Sequence, residues 1–112
     1  MKGLWTVHFS TAQGASNGIA VFDGEKMVGG DHVFFWIGSY RESNKRITGT
    51  LHAENYVGGG HSVFGQLTKL DIEFEAAAPA SVSPGTIVSA TGRLIGQPQQ
   101  TISFSLTCRD SL

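Results

Sequence analysis

The sequence predicts an all-β fold, an eight-stranded antiparallel up-and-down barrel, and three observations carry that expectation. Apolar residues recur with period 2 along nearly the whole chain, and no stretch of 11 residues holds a 3.6-residue apolar stripe. Turns rich in glycine, proline and asparagine interrupt the pattern at short intervals. Eight such segments fit into 112 residues. A meander of that many short strands is best closed into a barrel, because closure removes both exposed edges; a two-sheet sandwich is the alternative.

Each element follows in chain order. Residues 3–10 alternate Trp5, Val7 and Phe9 with Thr6, His8 and Ser10. Residues 17–23 and 26–30 flank Asp23-Gly24, a hairpin turn whose glycine takes positive φ without steric cost. Gly29-Gly30-Asp31 bends the chain into a strand over residues 33–41. The run Arg41 to Arg46 reads as a polar hairpin loop into a strand over residues 46–55, where Ile47, Gly49, Leu51 and Ala53 alternate with Thr48, Thr50, His52 and Glu54.

The segment 57–68 is too long for a hairpin, whose loops run about 2–5 residues. A short plug or helical turn near residues 60–66 is expected to cover one barrel mouth, burying Phe64 and making His61 and Phe64 a candidate barrel gate. Residues 69–76 then alternate Leu70, Ile72, Phe74 and Ala76 with Lys69, Asp71, Glu73 and Glu75, one dry face and one wet. PASVSPG leads to residues 86–95, and Gly96-Gln97-Pro98 to residues 100–108. Gly38, Gly49 and Gly92 inside strands suit the kinks and close approaches of a strongly coiled small barrel. One barrel domain over residues 1–112 accounts for the chain.

Composition narrows the function classes. Eight Lys plus Arg against nine Asp plus Glu give a net charge of −1. That is far from the basic balance that neutralises phosphates, and only Arg41, Lys45 and Arg46 cluster, so no nucleic acid is expected as a partner. The single Cys108 forms no internal disulfide and reads as a buried, inert thiol. The N-terminal run MKGLWTVHFS holds no apolar stretch of signal-peptide length, and no window approaches the ~18 apolar residues of a membrane helix. The expectation is a cytoplasmic protein with no membrane partner.

No catalytic constellation emerges. The four histidines, His8, His32, His52 and His61, form no pair with metal-ligand spacing. His8 and His52 fall opposite the apolar alternation and should face solvent or a polar partner, while His32 and His61 sit in glycine-rich loops. Asp71, Glu73 and Glu75 share one exposed strand face, the pattern of a solvated outer wall. Gly58 to Gly60 precede no helix that would make a phosphate loop. The reading is of a non-enzyme with no cofactor and no metal.

Aromatic residues crowd the strand at 33–41: Phe35 and Ile37 on one face, Phe34, Trp36 and Tyr40 on the other. With Phe35 filling the barrel, Phe34, Trp36 and Tyr40 become an outer partner or dimer surface. A homodimer is the simplest occupant. If the interior is not filled by Trp5, Val7, Phe9, Phe35, Leu51, Ile72, Phe74, Ile102 and Phe104, the barrel has room for a small apolar ligand.

The order of features in residues 3–66 resembles a known family. Gly3-Leu4-Trp5 opens a strand, and Asn17-Gly18-Ile19-Ala20-Val21 leads into Asp23-Gly24. Met27-Val28-Gly29-Gly30-Asp31, Gly38-Ser39-Tyr40 and Ser62-Val63-Phe64-Gly65 follow. This resembles the GrlR family, small negative regulators of type III secretion and their uncharacterised bacterial relatives. The resemblance implies a lipocalin-like eight-stranded barrel that dimerises, and a regulatory protein as partner. It also implies an acidic run after the aromatic strand for contact with a transcription activator. Here that candidate partner loop reads Arg41-Glu42-Ser43-Asn44-Lys45-Arg46, three basic residues against one acid, so the activator contact does not carry over. The function expected is a non-enzymatic protein-binding module, with carriage of a small apolar ligand as the alternative.

Overall fold

A computed structural model describes all of residues 1–112. Its strands are β1 (Gly3–Thr11), β2 (Gly14–Asp23), β3 (Lys26–Gly30), β4 (Phe34–Ser43), β5 (Arg46–Asn55), β6 (Lys69–Ala77), β7 (Ile87–Leu94) and β8 (Gln97–Asp110). Each pairs antiparallel with the next, and β1 pairs with β8, so the eight strands close into an up-and-down barrel as predicted. No helix long and apolar enough to cross a membrane is present.

Closure works because the period-2 alternation lies in register from strand to strand. Trp5, Ala20, Phe22 and Met27 face inward on β1 to β3; Tyr40 and Ile47 continue the layer, and Ala76, Val88, Ala90, Leu106 and Cys108 complete it. A second layer holds Phe34, Ala53, Leu70, Ile72, Leu94 and Ile102 toward the other end. That end, here called upper, carries the turn at residues 12–13 and the connections 31–33, 56–68 and 95–96. At the lower end the buried Trp5 indole donates a 2.8 Å hydrogen bond to the Met1 carbonyl. Cys108 is free and buried, as expected.

Strands β2 and β8 begin three residues earlier than expected, at Gly14 and Gln97, which shortens the connections before them and takes Pro98 into β8. Two further connections differ from expectation. Residues 41–46 are not an open loop: Arg41 and Glu42 belong to β4, and Asn44 and Lys45 form a two-residue turn with φ of 54° and 61°. Both central residues at positive φ match the twist of flanking strands, and charged outer-wall residues disguised the strand ends in the sequence. Near residues 60–66 the plug is present but is no helical turn. Ser62 and Gly65 bridge through paired backbone hydrogen bonds, a tight β-turn that buries Val63 and Phe64. The Thr11 hydroxyl donates to the Val63 carbonyl and ties the plug to β1.

Candidate functional site

The barrel is hollow. Its interior holds a cavity of about 360 Å³ that reaches from Met1 below to His61 above, walled by inward side chains of all eight strands. Small residues create it: Ala20, Ala53, Ala76 and Ala90 all line the space. Around them stand Phe9, Trp36, Leu51, Phe74 and Phe104, inward-facing yet only half-buried, because their free surface borders the void rather than neighbouring atoms. Phe9 and Trp36 meet edge to face at 5.8 Å, from β1 and β4.

The aromatic strand is the main correction to the sequence reading. Phe34, Trp36 and Tyr40 are not an outer partner surface: Phe34 and Tyr40 are buried, and Trp36 lines the cavity. Phe35 and Ile37 take the outer face, Ile37 with 47% of its surface exposed, so Phe35 does not fill the interior. Glycines decide the face. A Cβ at Gly18 would lie 2.6 Å from the Trp36 ring, and one at Gly29 would lie 2.5 Å from its Nε1. The indole therefore has a bed of bare backbone only on the inner side. Burial pushes the Tyr40 phenol up from its ordinary value, with Glu42, Asp23 and Glu25 adding to the shift.

The candidate gate residues separate. His61 reaches the cavity mouth, whereas Phe64 is buried in the upper core cluster and does not line the cavity. The mouth lies where Gly14 to Ser16 of β2, residues 31–33 and residues 60–63 approach one another. It exists because β3 is only five residues long and pairs β2 from Ile19 to Asp23, leaving Gly14 to Gly18 without a neighbour on that side. Asp31 shapes the rim: its Oδ1 accepts from the Val33 and Phe34 amides at 2.8 and 2.7 Å. The Tyr56 hydroxyl donates to the Asp31 carbonyl at 2.7 Å. Sequence reasoning placed His32 in a loop but gave it no role; the structure puts it on the same rim as His61.

The outer wall is a lattice of polar pairs. His8 and Asn17 meet at 2.8 Å, and the two ring nitrogens of His52 meet Asp71 at 2.8 Å and Glu54 at 2.9 Å. Arg93 pairs with Glu73 at 2.7 Å and Arg46 with Glu75 at 3.3 Å, so the acidic row of β6 is a solvated, paired face. Arg41, Glu42, Asn44 and Lys45 are all exposed at the lower end, away from the cavity mouth. No protein-family model matches the chain, and no curated protein matches its sequence.

Proposed function

We propose that this protein is a non-enzymatic binding protein of the cytoplasm whose barrel holds one small apolar ligand. The hollow carries the reading: about 360 Å³ falls within the ~300–1,000 Å³ range of ligand pockets. Of the 30 residues that line it, 23 are hydrophobic. At ~30 Å³ per water-sized unit, the space suits a ligand of on the order of a dozen non-hydrogen atoms. Native mass spectrometry of protein isolated gently from its own host tests this. The expected result is a reproducible adduct of roughly 150–200 Da, the mass of about a dozen such atoms. Bare protein mass, together with no thermal shift from small hydrocarbons, would overturn it.

A second reading, a protein-binding regulator of the kind the GrlR resemblance implies, has one supporting observation. Val21, Val28 and Ile37 stand side by side across β2, β3 and β4 on the outer wall. Val28 and Ile37 keep 39% and 47% of their surface exposed, and Ile19 beside them keeps 50%. A homodimer, or a complex with a regulatory protein, built on this face would dissociate on Ile37→Lys. An association state unchanged by that substitution in sedimentation experiments rejects this face as the contact.

A further inference from the structure

Apart from the Trp36 indole N–H, the polar side chains that line the cavity stand at its upper end: Ser16, Asp31, His32, His61 and Ser62. Below them the walls are alanine, branched aliphatic, methionine and aromatic side chains. An interior that is apolar along its length and polar at one rim fits a ligand of the same build, in one orientation. We infer that the ligand is a neutral amphipath, an alkyl or aryl body in the barrel with an uncharged hydroxyl or carbonyl head at the rim between His32 and His61. This rests on the reading of the hollow as a ligand site.

Hydrogen-bond accounting selects the head group. The Ser62 hydroxyl is spent, donating to the Gly65 carbonyl at 3.1 Å and accepting from the Phe64 amide at 3.0 Å. One Asp31 oxygen is spent on two backbone amides. His8 and His52 on the outer wall have protein partners, whereas the rings of His32 and His61, both exposed at the rim, make no hydrogen bond to another side chain or to the backbone. Each imidazole offers a donor and an acceptor, which is what a hydroxyl or carbonyl needs.

Charge disfavours an anionic head at this rim. No Lys or Arg lines the cavity, Asp31 is its one carboxylate, and the Met1 amino terminus lies at the opposite, lower end. An anionic head at the rim would therefore be desolvated beside a like charge with no cation next to it. An ammonium head is the competing case: it would give up its water at an apolar barrel mouth, where one Asp31 oxygen is already spent on the Val33 and Phe34 amides, and direct titration decides it.

Four probes on one phenylalkyl body, of about eight to ten non-hydrogen atoms, separate the possibilities: ethylbenzene without a head, 2-phenylethanol with a neutral head, phenylacetate and 2-phenylethylamine with charged ones. Each is titrated at pH 8 and followed by tryptophan fluorescence and thermal shift. 2-Phenylethanol is expected to bind about tenfold tighter than either charged probe and several-fold tighter than ethylbenzene. Asp31→Asn, which keeps the oxygen that accepts the rim amides, should narrow the gap between phenylacetate and 2-phenylethanol. His32→Leu with His61→Leu should bring 2-phenylethanol down to the ethylbenzene level while ethylbenzene binding persists. Phenylacetate or 2-phenylethylamine binding as tightly as 2-phenylethanol overturns the neutral head and leaves the hollow-barrel reading standing. So does 2-phenylethanol binding no tighter than ethylbenzene. Failure of all four, ethylbenzene included, overturns the ligand site itself.

Discussion

A single aromatic ring and the glycine beneath it decide much of the inner wall. A Cβ at Gly49 would lie 2.5 Å from the Phe74 ring and 2.4 Å from the Ser39 carbonyl, which is backbone and has little freedom to yield. Gly49→Ala is expected to cost about 1–3 kcal/mol by overpacking, read from urea unfolding midpoints. Gly59→Ala meets nothing within 4 Å and should leave stability within about 0.5 kcal/mol. Equal effects from the two would mean that Phe74 does not rest on Gly49. On the outer wall, His52 is held by Glu54 first and Asp71 second, and both hydrogen bonds raise its pKa. The same bond to His52 lowers the Glu54 carboxyl, with Lys69 assisting. The histidine's contribution to stability is full below its unfolded value near ~6.5 and is lost as pH rises through the raised folded value. The carboxylate's contribution is lost at the other end, as pH falls through its lowered value. Solvent screens this exposed cluster, so the stability change should be small and weaker still in high salt. An NMR titration of the His52 ring gives the sharper test. Its midpoint should lie above that of an ordinary histidine and fall toward it in the Glu54→Gln, Asp71→Asn double variant; an ordinary midpoint in the wild type would rule out the pairing.

Strands are legible at the element scale because one dry face and one wet face are written into every second residue. The alternation Leu70, Ile72, Phe74, Ala76 against Lys69, Asp71, Glu73, Glu75 locates β6 to within a residue of its end. It fails where both faces are apolar. In β4 the period fixes which residues share a face, but contact with Gly18 on β2 and Gly29 on β3 fixes which face turns inward. The rim was hidden for the same reason: it is assembled from residues 14–16, 31–33 and 60–63, and no local spacing announces it. The segment 57–68 was legible in part, since Phe64 marks an anchor but not the turn that delivers it. That anchor supplies its own prediction. Phe64→Ala is expected to destabilise the fold by about 3–5 kcal/mol, as deletion of a buried aromatic does. Hydrogen exchange at residues 61–66 should accelerate more than in the strands, because the plug is held by Phe64, Val63 and the Thr11 bond rather than by the barrel ladder. Uniform acceleration across the barrel would mean that the plug is part of the cooperative core.

For the whole molecule, an unfilled centre is a choice between stability and occupancy. Ala90 faces Ala76 on β6 and Phe104 on β8, and both alanines border the void. Leucine there would add three carbons to space that holds no side chain, worth at most about 2.4 kcal/mol at ~0.8 kcal/mol per buried methylene. Imperfect fit lowers the return, so Ala90→Leu should stabilise the ligand-free protein by about 0.5–2 kcal/mol and raise its Tm by several degrees. A ligand at a hundred times its Kd stabilises the wild type by about 2.7 kcal/mol through mass action alone. The variant's side chain and the ligand compete for one volume, so the same addition should shift the variant's Tm far less. Stability and binding would thus move in opposite directions from one substitution, which a filled core does not allow. In a close-packed interior the added leucine would instead force side chains off their rotamers and cost about 1–3 kcal/mol. A lower Tm for Ala90→Leu, with ligand response unchanged, would therefore place the barrel among filled scaffolds and remove the basis for a carrier.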